Sequence, residues 1–212
     1  MRLYLASTSP ARLTLLRSAG VEPIVVPSHV DEPATLATHE AEHGPATTDR
    51  MVQLLARAKA EAIADTEIDG HPIDGLIFGG DSSFELDGAS YGKPHRPEVA
   101  RQRLRMQRGR TGTLHSGHWL IDHRAGHPVR AVGAVAAASV TFAPDVTDAE
   151  IDAYVATGEP LQVAGAFTID SLGGPFIQSI TGDPSTVVGL SLATLRTLVR
   201  SLGIEWTALW NR

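Results

Sequence analysis

An apolar run, Leu3-Tyr4-Leu5-Ala6, passes without a loop into Ser7-Thr8-Ser9-Pro10 and then into the helix-like pattern Ala11-Arg12-Leu13-Thr14-Leu15-Leu16. Ser9 is a natural N-cap, and Pro10 fits the first helical position, where its missing N–H costs nothing. A strand that runs straight into a helix start leaves several backbone N–H groups pointing outward. Here they stand beside hydroxyls and the Arg12 guanidinium, a combination that attracts phosphate oxygens. Taken alone, the segment reads sooner as an ordinary capped helix behind a first strand. The segments that follow shift the balance.

Strands and helices alternate through the first part of the chain. Pro10–Ala19 reads as a helix closed by Gly20, Pro23–Pro27 as a second strand and Thr48–Asp65 as a helix. On the last, Met51, Leu54, Leu55, Ala58 and Ala62 fall at helical spacing, with Arg50, Arg57, Lys59 and Glu61 among them. His29–Thr47 is polar and interrupted by Pro33, Gly44 and Pro45, and reads mostly as loop. Asp69–Gly75 is a turn cluster. Leu76–Gly79 reads as a short buried strand that ends in Gly80-Asp81-Ser82-Ser83, and Phe84–Leu86 and Tyr91 flank the hairpin signal Asp87-Gly88. Pro97–Gln107 reads as a helix, and Gly112–Asp122 and Val129–Phe142 as two long strands. Thr147 opens a helix through Ala156, with Glu150 completing a capping box. Val163–Ile169 and Phe176–Ile180 read as strands, Leu192–Leu202 as a helix ended by Gly203, and Glu205–Trp210 as a last short helix. This order predicts an α/β chain: a mixed twisted sheet with flanking helices, forming two lobes around a central cleft. No linker is long enough to divide 1–212 into independent domains.

The absence of cysteine excludes disulfides, thiolate zinc sites and a Cys nucleophile. No apolar run reaches bilayer length, and no basic segment with an apolar core opens the chain, so a soluble cytoplasmic protein with no membrane partner is expected. The formal net charge of −6 argues against a nonspecific nucleic-acid partner. It leaves room for a nucleotide, because a few local cations and a divalent metal can hold a triphosphate inside an acidic protein.

Several short motifs carry chemistry. In Gly79-Gly80-Asp81-Ser82, a carboxylate at a strand end is a common place for a metal ligand or general base, and as often just a polar turn. Pro94 biases Lys93 to an extended conformation, which suits a fixed ammonium reaching a phosphate; a lone lysine in a turn is more often a surface residue. Of Asp31 and Glu32, either could bind Mg²⁺ together with Asp81, because hard divalent ions prefer oxygen ligands; by themselves the two read as a solvated acidic turn. His39-Glu40-Ala41-Glu42-His43 matches the H-E-x-x-H zinc-peptidase pattern. That chemistry needs a sustained helix, and Pro33 and Gly44-Pro45 argue against one. His115 and His118 fall on opposite faces of a strand and read as structural. Ala164-Gly165-Ala166-Phe167 is small enough for a flat ligand to approach the backbone, or is a tight sheet corner. Asp170 beyond it could accept hydrogen bonds from base N–H groups.

Five pieces thus occur in one order: Ser7-Thr8-Ser9-Pro10-Ala11-Arg12, Asp31-Glu32, Gly80-Asp81, Gly92-Lys93-Pro94, and Ala164-Gly165-Ala166-Phe167 through Gly189-Leu190. The ordered set resembles the Maf family, described as septum-formation inhibitors and understood as nucleoside triphosphate pyrophosphatases. The likeness runs almost end to end and takes in Ala58-Lys59-Ala60 and Tyr154 with Gly158-Glu159-Pro160. It implies a Maf/ITPase-like fold and hydrolysis of (d)NTPs, noncanonical or modified ones included, to a monophosphate and diphosphate. It implies Ser7, Ser9, Arg12, Lys59 and Lys93 at the phosphates, Asp81 as proton acceptor, Asp81 and Glu32 near Mg²⁺ or Mn²⁺, and Asp170 reading the base. It is compatible with a homodimer.

Two positions depart from the family. Two consecutive arginines are usual where this chain has Ala11-Arg12, and Arg17, one or two turns along, is the candidate to compensate. Asp170 stands where subfamilies carry Gln or Glu, and a carboxylate only accepts hydrogen bonds, so a guanine-type edge with its N–H donors is as open as thymine or uracil. The rival readings are a noncatalytic nucleotide-binding regulator of cell division, a nucleotidyltransferase, and a zinc peptidase working through His39 and His43.

Overall fold

The computed structural model describes every residue from Met1 to Arg212. In chain order the elements are β1 (Leu3–Leu5), α1 (Pro10–Ser18), β2 (Ile24–Val25), α2 (Glu32–His43), α3 (Thr48–Ala62), β3 (Glu67–Ile68), β4 (His71–Pro72), β5 (Gly75–Leu86), β6 (Ala89–Tyr91), α4 (Pro97–Gln107), β7 (Thr111–Arg124), β8 (His127–Phe142), α5 (Asp148–Ala156), β9 (Ile177–Thr181), α6 (Pro184–Val188) and α7 (Leu192–Ser201), with short 3-10 turns between α5 and β9 and after α7. The main sheet has seven strands in the order β2-β1-β5-β7-β8-β9, with β6 added to β5; β3 and β4 form a separate pair. β1 pairs in parallel with β2 and β5, whereas β5–β6 and β8–β9 are antiparallel, so the sheet is mixed, as expected. No helix is long and apolar enough to cross a membrane.

The chain divides into two compact units, one of Met1–Asp81, Ser116–Ala136 and Gly189–Arg212, the other of Ser82–His115 and Ala137–Val188. In the first unit, strand alternation sorts the core. Leu3, Leu5, Leu76 and Phe78 pack on one side with Leu16, Leu195 and Val199. Tyr4, Ala6 and Ile77 pack on the other with Ala60 and Ile63. Both faces of β1 and β5 are therefore covered, which is why these strands read as continuous apolar runs. In the second unit Phe84, Phe142 and Phe167 meet edge-to-face, with ring centroids 4.9 to 5.8 Å apart, over Leu86, Leu114 and Val140. A further cluster joins Leu104 of α4 to Ile151, Tyr154 and Val155 of α5.

The local signals held. The Ser9 side chain accepts from the Arg12 N–H, and Thr147 and Glu150 cap α5 reciprocally. Asp87-Gly88 turns β5 into β6.

Four expectations fail, each for a non-local or positional reason. Glu32–His43 is a helix, not a loop: Asp31 is its N-cap, accepting from the Ala34 N–H at 2.9 Å, and Pro33 sits in the first turn, where a missing N–H is harmless. β5 does not stop before Gly80; it continues through Asp81 to Leu86, because the buried carboxylate is compensated within the fold. Val163–Ile169 is not a strand, since Gly165 and Ala166 adopt φ values of 73° and 66° and coil the segment into 3-10 turns. Finally, the buried stripe of α3 is Thr48, Val52, Leu55, Ala56, Lys59 and Ala60, rotated from the predicted one.

Gly79 explains that rotation. A Cβ on Gly79 would stand 2.1 Å from the Ala56 carbonyl oxygen and 2.7 Å from the Ala60 nitrogen. The backbone of α3 therefore lies directly on β5 at this point. Gly79→Ala is expected to lower stability by at least ~1–3 kcal/mol in chemical denaturation, the usual cost of overpacking, because backbone cannot swing aside. Wild-type stability of the variant would show that α3 does not lie so close.

Candidate active site

The close approach at Gly79 sets up the chemistry two residues later. Gly79 and Asp81 share one face of β5, toward α3, while Gly80 points to the opposite face. There a Cβ would stand 3.1 Å from Nε of Arg12. On the α3 side, Nζ of Lys59 lies 2.6 Å from Oδ1 of Asp81 and 2.7 Å from Oε1 of Glu32. Lys59 and Asp81 are buried, and the Glu32 side chain is half exposed. Lys59 thus binds two carboxylates that lie far apart in the chain. Of the adjacent acidic pair, only Glu32 takes part, since Asp31 is spent capping α2.

Arg12 is buried beside this cluster. Its Nε donates to the Gly189 carbonyl at 2.7 Å and its Nη1 to Oγ of Ser7 at 3.1 Å. The Ser7 hydroxyl oxygen also accepts from the Ser9 N–H at 3.2 Å, so its own proton remains available to a further acceptor. The side chain of Ser9 caps α1, accepting from the Arg12 N–H at 3.4 Å. The turn that receives Arg12 is itself held by His118, whose Nε2 accepts from the Ser191 N–H at 2.9 Å while Nδ1 lies 2.9 Å from the Ser116 carbonyl. These contacts set a neutral tautomer with the proton on Nδ1. His118 is structural, as expected, and its task is to support the turn whose carbonyl receives Arg12.

Burial raises the proton affinity of Asp81. The charges of Lys59 and Arg12 and the hydrogen bond from Lys59 oppose that rise, Glu32 adds to it, and the net shift is upward from the ordinary carboxylate value. Burial likewise lowers the pKa of Arg12, against the attraction of Asp81 and Glu32. A carboxylate with raised proton affinity, held by a cation, is suited to taking a proton from water.

Arg17 does not substitute for the arginine absent at Ala11, because it forms an exposed bidentate pair with Glu22, Nη2 to Oε1 at 2.7 Å. His39 and His43 lie on a helix after all, with rings stacked 4.5 Å apart. No third His, Asp or Glu joins them in a group that could hold a metal ion.

Lys93 and Asp170 belong to the second unit, and both are exposed, with no side-chain hydrogen bond or ion pair. The Lys93 segment is tied down next door: the Gly92 carbonyl accepts from Arg103 Nη1 at 2.5 Å and from the Gly165 N–H at 3.3 Å, and the His95 N–H donates to the Leu161 carbonyl at 3.0 Å. Arg103 also lies over the Tyr91 ring, 5.4 Å from its centroid. The small residues at 164–166 serve packing rather than ligand approach. A Cβ on Gly165 would meet Phe84 at 2.7 Å and Phe167 at 2.8 Å.

Comparison with known proteins agrees with the sequence resemblance. The family model described as "Maf-like protein" matches residues 2–202. A protein of Leifsonia xyli subsp. xyli named nucleoside triphosphate pyrophosphatase is 74% identical over 212 residues, covering 100% of this chain and 98% of its own. A protein of the same name from Corynebacterium diphtheriae is 47% identical over 211 residues, covering 100% and 99%. Among solved structures, the Ham1 protein of Staphylococcus aureus superimposes with a TM-score of 0.46 at 11% identity, covering 95% of this chain and 100% of that one.

Proposed function

The chain belongs to the Maf family, and from that premise we propose that it is a nucleoside triphosphate pyrophosphatase, which cleaves (d)NTPs between the α- and β-phosphates and releases a monophosphate and diphosphate. The observation that carries the reading is the buried Lys59 ammonium bound to both Asp81 and Glu32, with Arg12 and Ser7 alongside.

The donor set fits a hard divalent ion. Two carboxylates from different segments already converge on one cationic centre, and Mg²⁺ or Mn²⁺ prefers such oxygens. Two carboxylates are too few for an all-protein cage, so phosphate oxygens and water would complete the shell. The charge balance points the same way. Arg12 and Lys59 are matched by Glu32 and Asp81, so a triphosphate needs positive charge that these residues do not provide. When bound, the metal would neutralise phosphate charge and acidify water.

The residues then take separate parts. Asp81 accepts the proton of the water that attacks phosphorus. Arg12, the Ser7 hydroxyl and Lys59 stabilise charge gathering on the leaving diphosphate. Ser9 orients α1 through its cap and has its hydroxyl proton left for a phosphate oxygen. In the second unit, Lys93 is a further phosphate-binding cation and Asp170 accepts hydrogen bonds from the base. We place the enzyme in the cytoplasm, clearing noncanonical or modified nucleotides.

Incubating the purified protein with Mg²⁺ or Mn²⁺ and a nucleotide panel is expected to yield monophosphate and diphosphate in equal amounts. Orthophosphate as the product would overturn the cleavage position. Nucleotide binding without turnover on any substrate would instead make the chain a noncatalytic regulator.

A further inference from the structure

We propose that Glu159 is a positioning residue for base selection: its carboxylate holds the 168–173 loop in the shape that presents Asp170 to the nucleobase. The inference rests on the function proposed above and adds the residue that decides how the base is read.

Every contact lies within the second unit. After α5, Gly158 turns the chain at φ 79° into the 3-10 turn Glu159–Gln162. There Oε1 of Glu159 accepts from the Tyr154 hydroxyl at 3.0 Å, from Oγ1 of Thr168 at 2.5 Å and from the Gly173 N–H at 3.2 Å. Oε2 accepts from Oγ of Ser171 at 2.7 Å and from the Leu172 N–H at 3.4 Å. The Tyr154 oxygen accepts in turn from the Thr168 N–H at 3.2 Å. Gly173 closes the loop so tightly that a Cβ would stand 2.6 Å from the Tyr154 oxygen and 2.7 Å from the Thr168 carbonyl.

The pattern is selective. Thr168, Ser171, Leu172 and Gly173 are all tied to this one carboxylate, whereas Asp170, between them, is exposed and unengaged. Its carboxylate can only accept, so a loop fixed in this shape favours bases that present N–H donors at their edge over bases that present carbonyl oxygens. Although burial works to raise the pKa of Glu159, the hydrogen bonds from Thr168, Ser171, Tyr154 and the Leu172 amide outweigh it and hold the carboxyl below the ordinary value. The hub therefore stays ionised at neutral pH. A glutamine in its place keeps the size but turns one acceptor into a donor that faces other donors.

The test measures kcat and KM over a nucleotide panel for the wild type, Glu159→Gln, Thr168→Val and Thr168→Ser, alongside amide hydrogen exchange of residues 168–173. Losing a charge-assisted contact in Glu159→Gln or Thr168→Val is expected to lower the ratio of kcat/KM between best and worst base by about tenfold or more, through KM, with kcat within about twofold. Leu172 and Gly173 amides are expected to exchange faster in Glu159→Gln. Thr168→Ser retains the hydroxyl and is expected to retain the wild-type ratio. An unchanged base ratio in both Glu159→Gln and Thr168→Val, or an equal loss of kcat on every base, overturns the inference and leaves the pyrophosphatase reading standing. Should Glu159→Gln fail to fold, the Thr168 pair decides alone. A wild type inactive on every nucleotide overturns the functional reading and this inference together.

Discussion

Asp81→Asn is expected to lower kcat for nucleotide hydrolysis by about 10²–10⁴-fold, the range that a positioned general base contributes. The amide has nearly the size of the carboxylate, and its oxygen can still accept from Nζ of Lys59, now 2.6 Å away in the wild type. Burial of the ionised group is the largest influence on Asp81 and works against its charge. Replacing it with a neutral side chain therefore removes a desolvation cost along with an ion pair. The melting temperature is expected to stay within a few degrees of wild type, so diphosphate release and thermal unfolding of one sample separate chemistry from folding. Near-normal turnover in a folded Asp81→Asn protein would remove Asp81 from the reaction.

Lys59→Met is expected to damage both activity and stability. The change fills similar volume but leaves the Asp81 carboxylate buried without its nearest cation, and removing one partner of a buried pair costs about 3–5 kcal/mol. Glu32 is half exposed and can turn to water, which places the effect toward the lower end. The pH dependence has a definite sign. Without Lys59 to oppose the effect of burial, the Asp81 pKa rises further above its unfolded value. A carboxyl with a raised folded pKa favours the fold in its neutral form. That contribution is fully present below the unfolded pKa and is lost as pH rises through the folded one. The stability gap between Lys59→Met and wild type should thus narrow on acidification. The double variant Lys59→Met/Asp81→Asn should regain much of the lost stability, because the carboxylate left without its nearest cation is gone, while remaining inactive. Additive losses in the double variant would show that the two groups do not act as a pair.

Much of the architecture was legible because its causes are local. The Ser9 cap, the Thr147–Glu150 capping box and the Asp87-Gly88 hairpin each depend on groups within a few residues of one another. The errors have two causes, position within a helix and partners remote in sequence. Pro33 looks like a helix breaker, although its cost depends on the distance to the helix start that Asp31 sets. The polar run Asp81-Ser82-Ser83 looked like the end of a strand, because nothing nearby in sequence announces that Lys59 will neutralise the acid. Lys59 offered one readable signal: it belongs to the α3 stripe of Val52, Leu55, Ala56 and Ala60, where a lysine must have a partner.

The order of the five motifs, the turn and cap chemistry and the continuous apolar runs of β1 and the start of β5 are written in residue type and short spacing, and these alone were enough to identify the family. Which acid of Asp31-Glu32 faces the cluster, that Arg12 ends on the Gly189 carbonyl while Arg17 is taken by Glu22, and that Glu159 gathers a whole loop were settled by packing. The worth of a charge depends on its burial and on the charges that surround it. Here both come from segments brought together from distant parts of the chain, with Lys59 lying 22 residues before Asp81 and Gly189 lying 177 residues beyond Arg12.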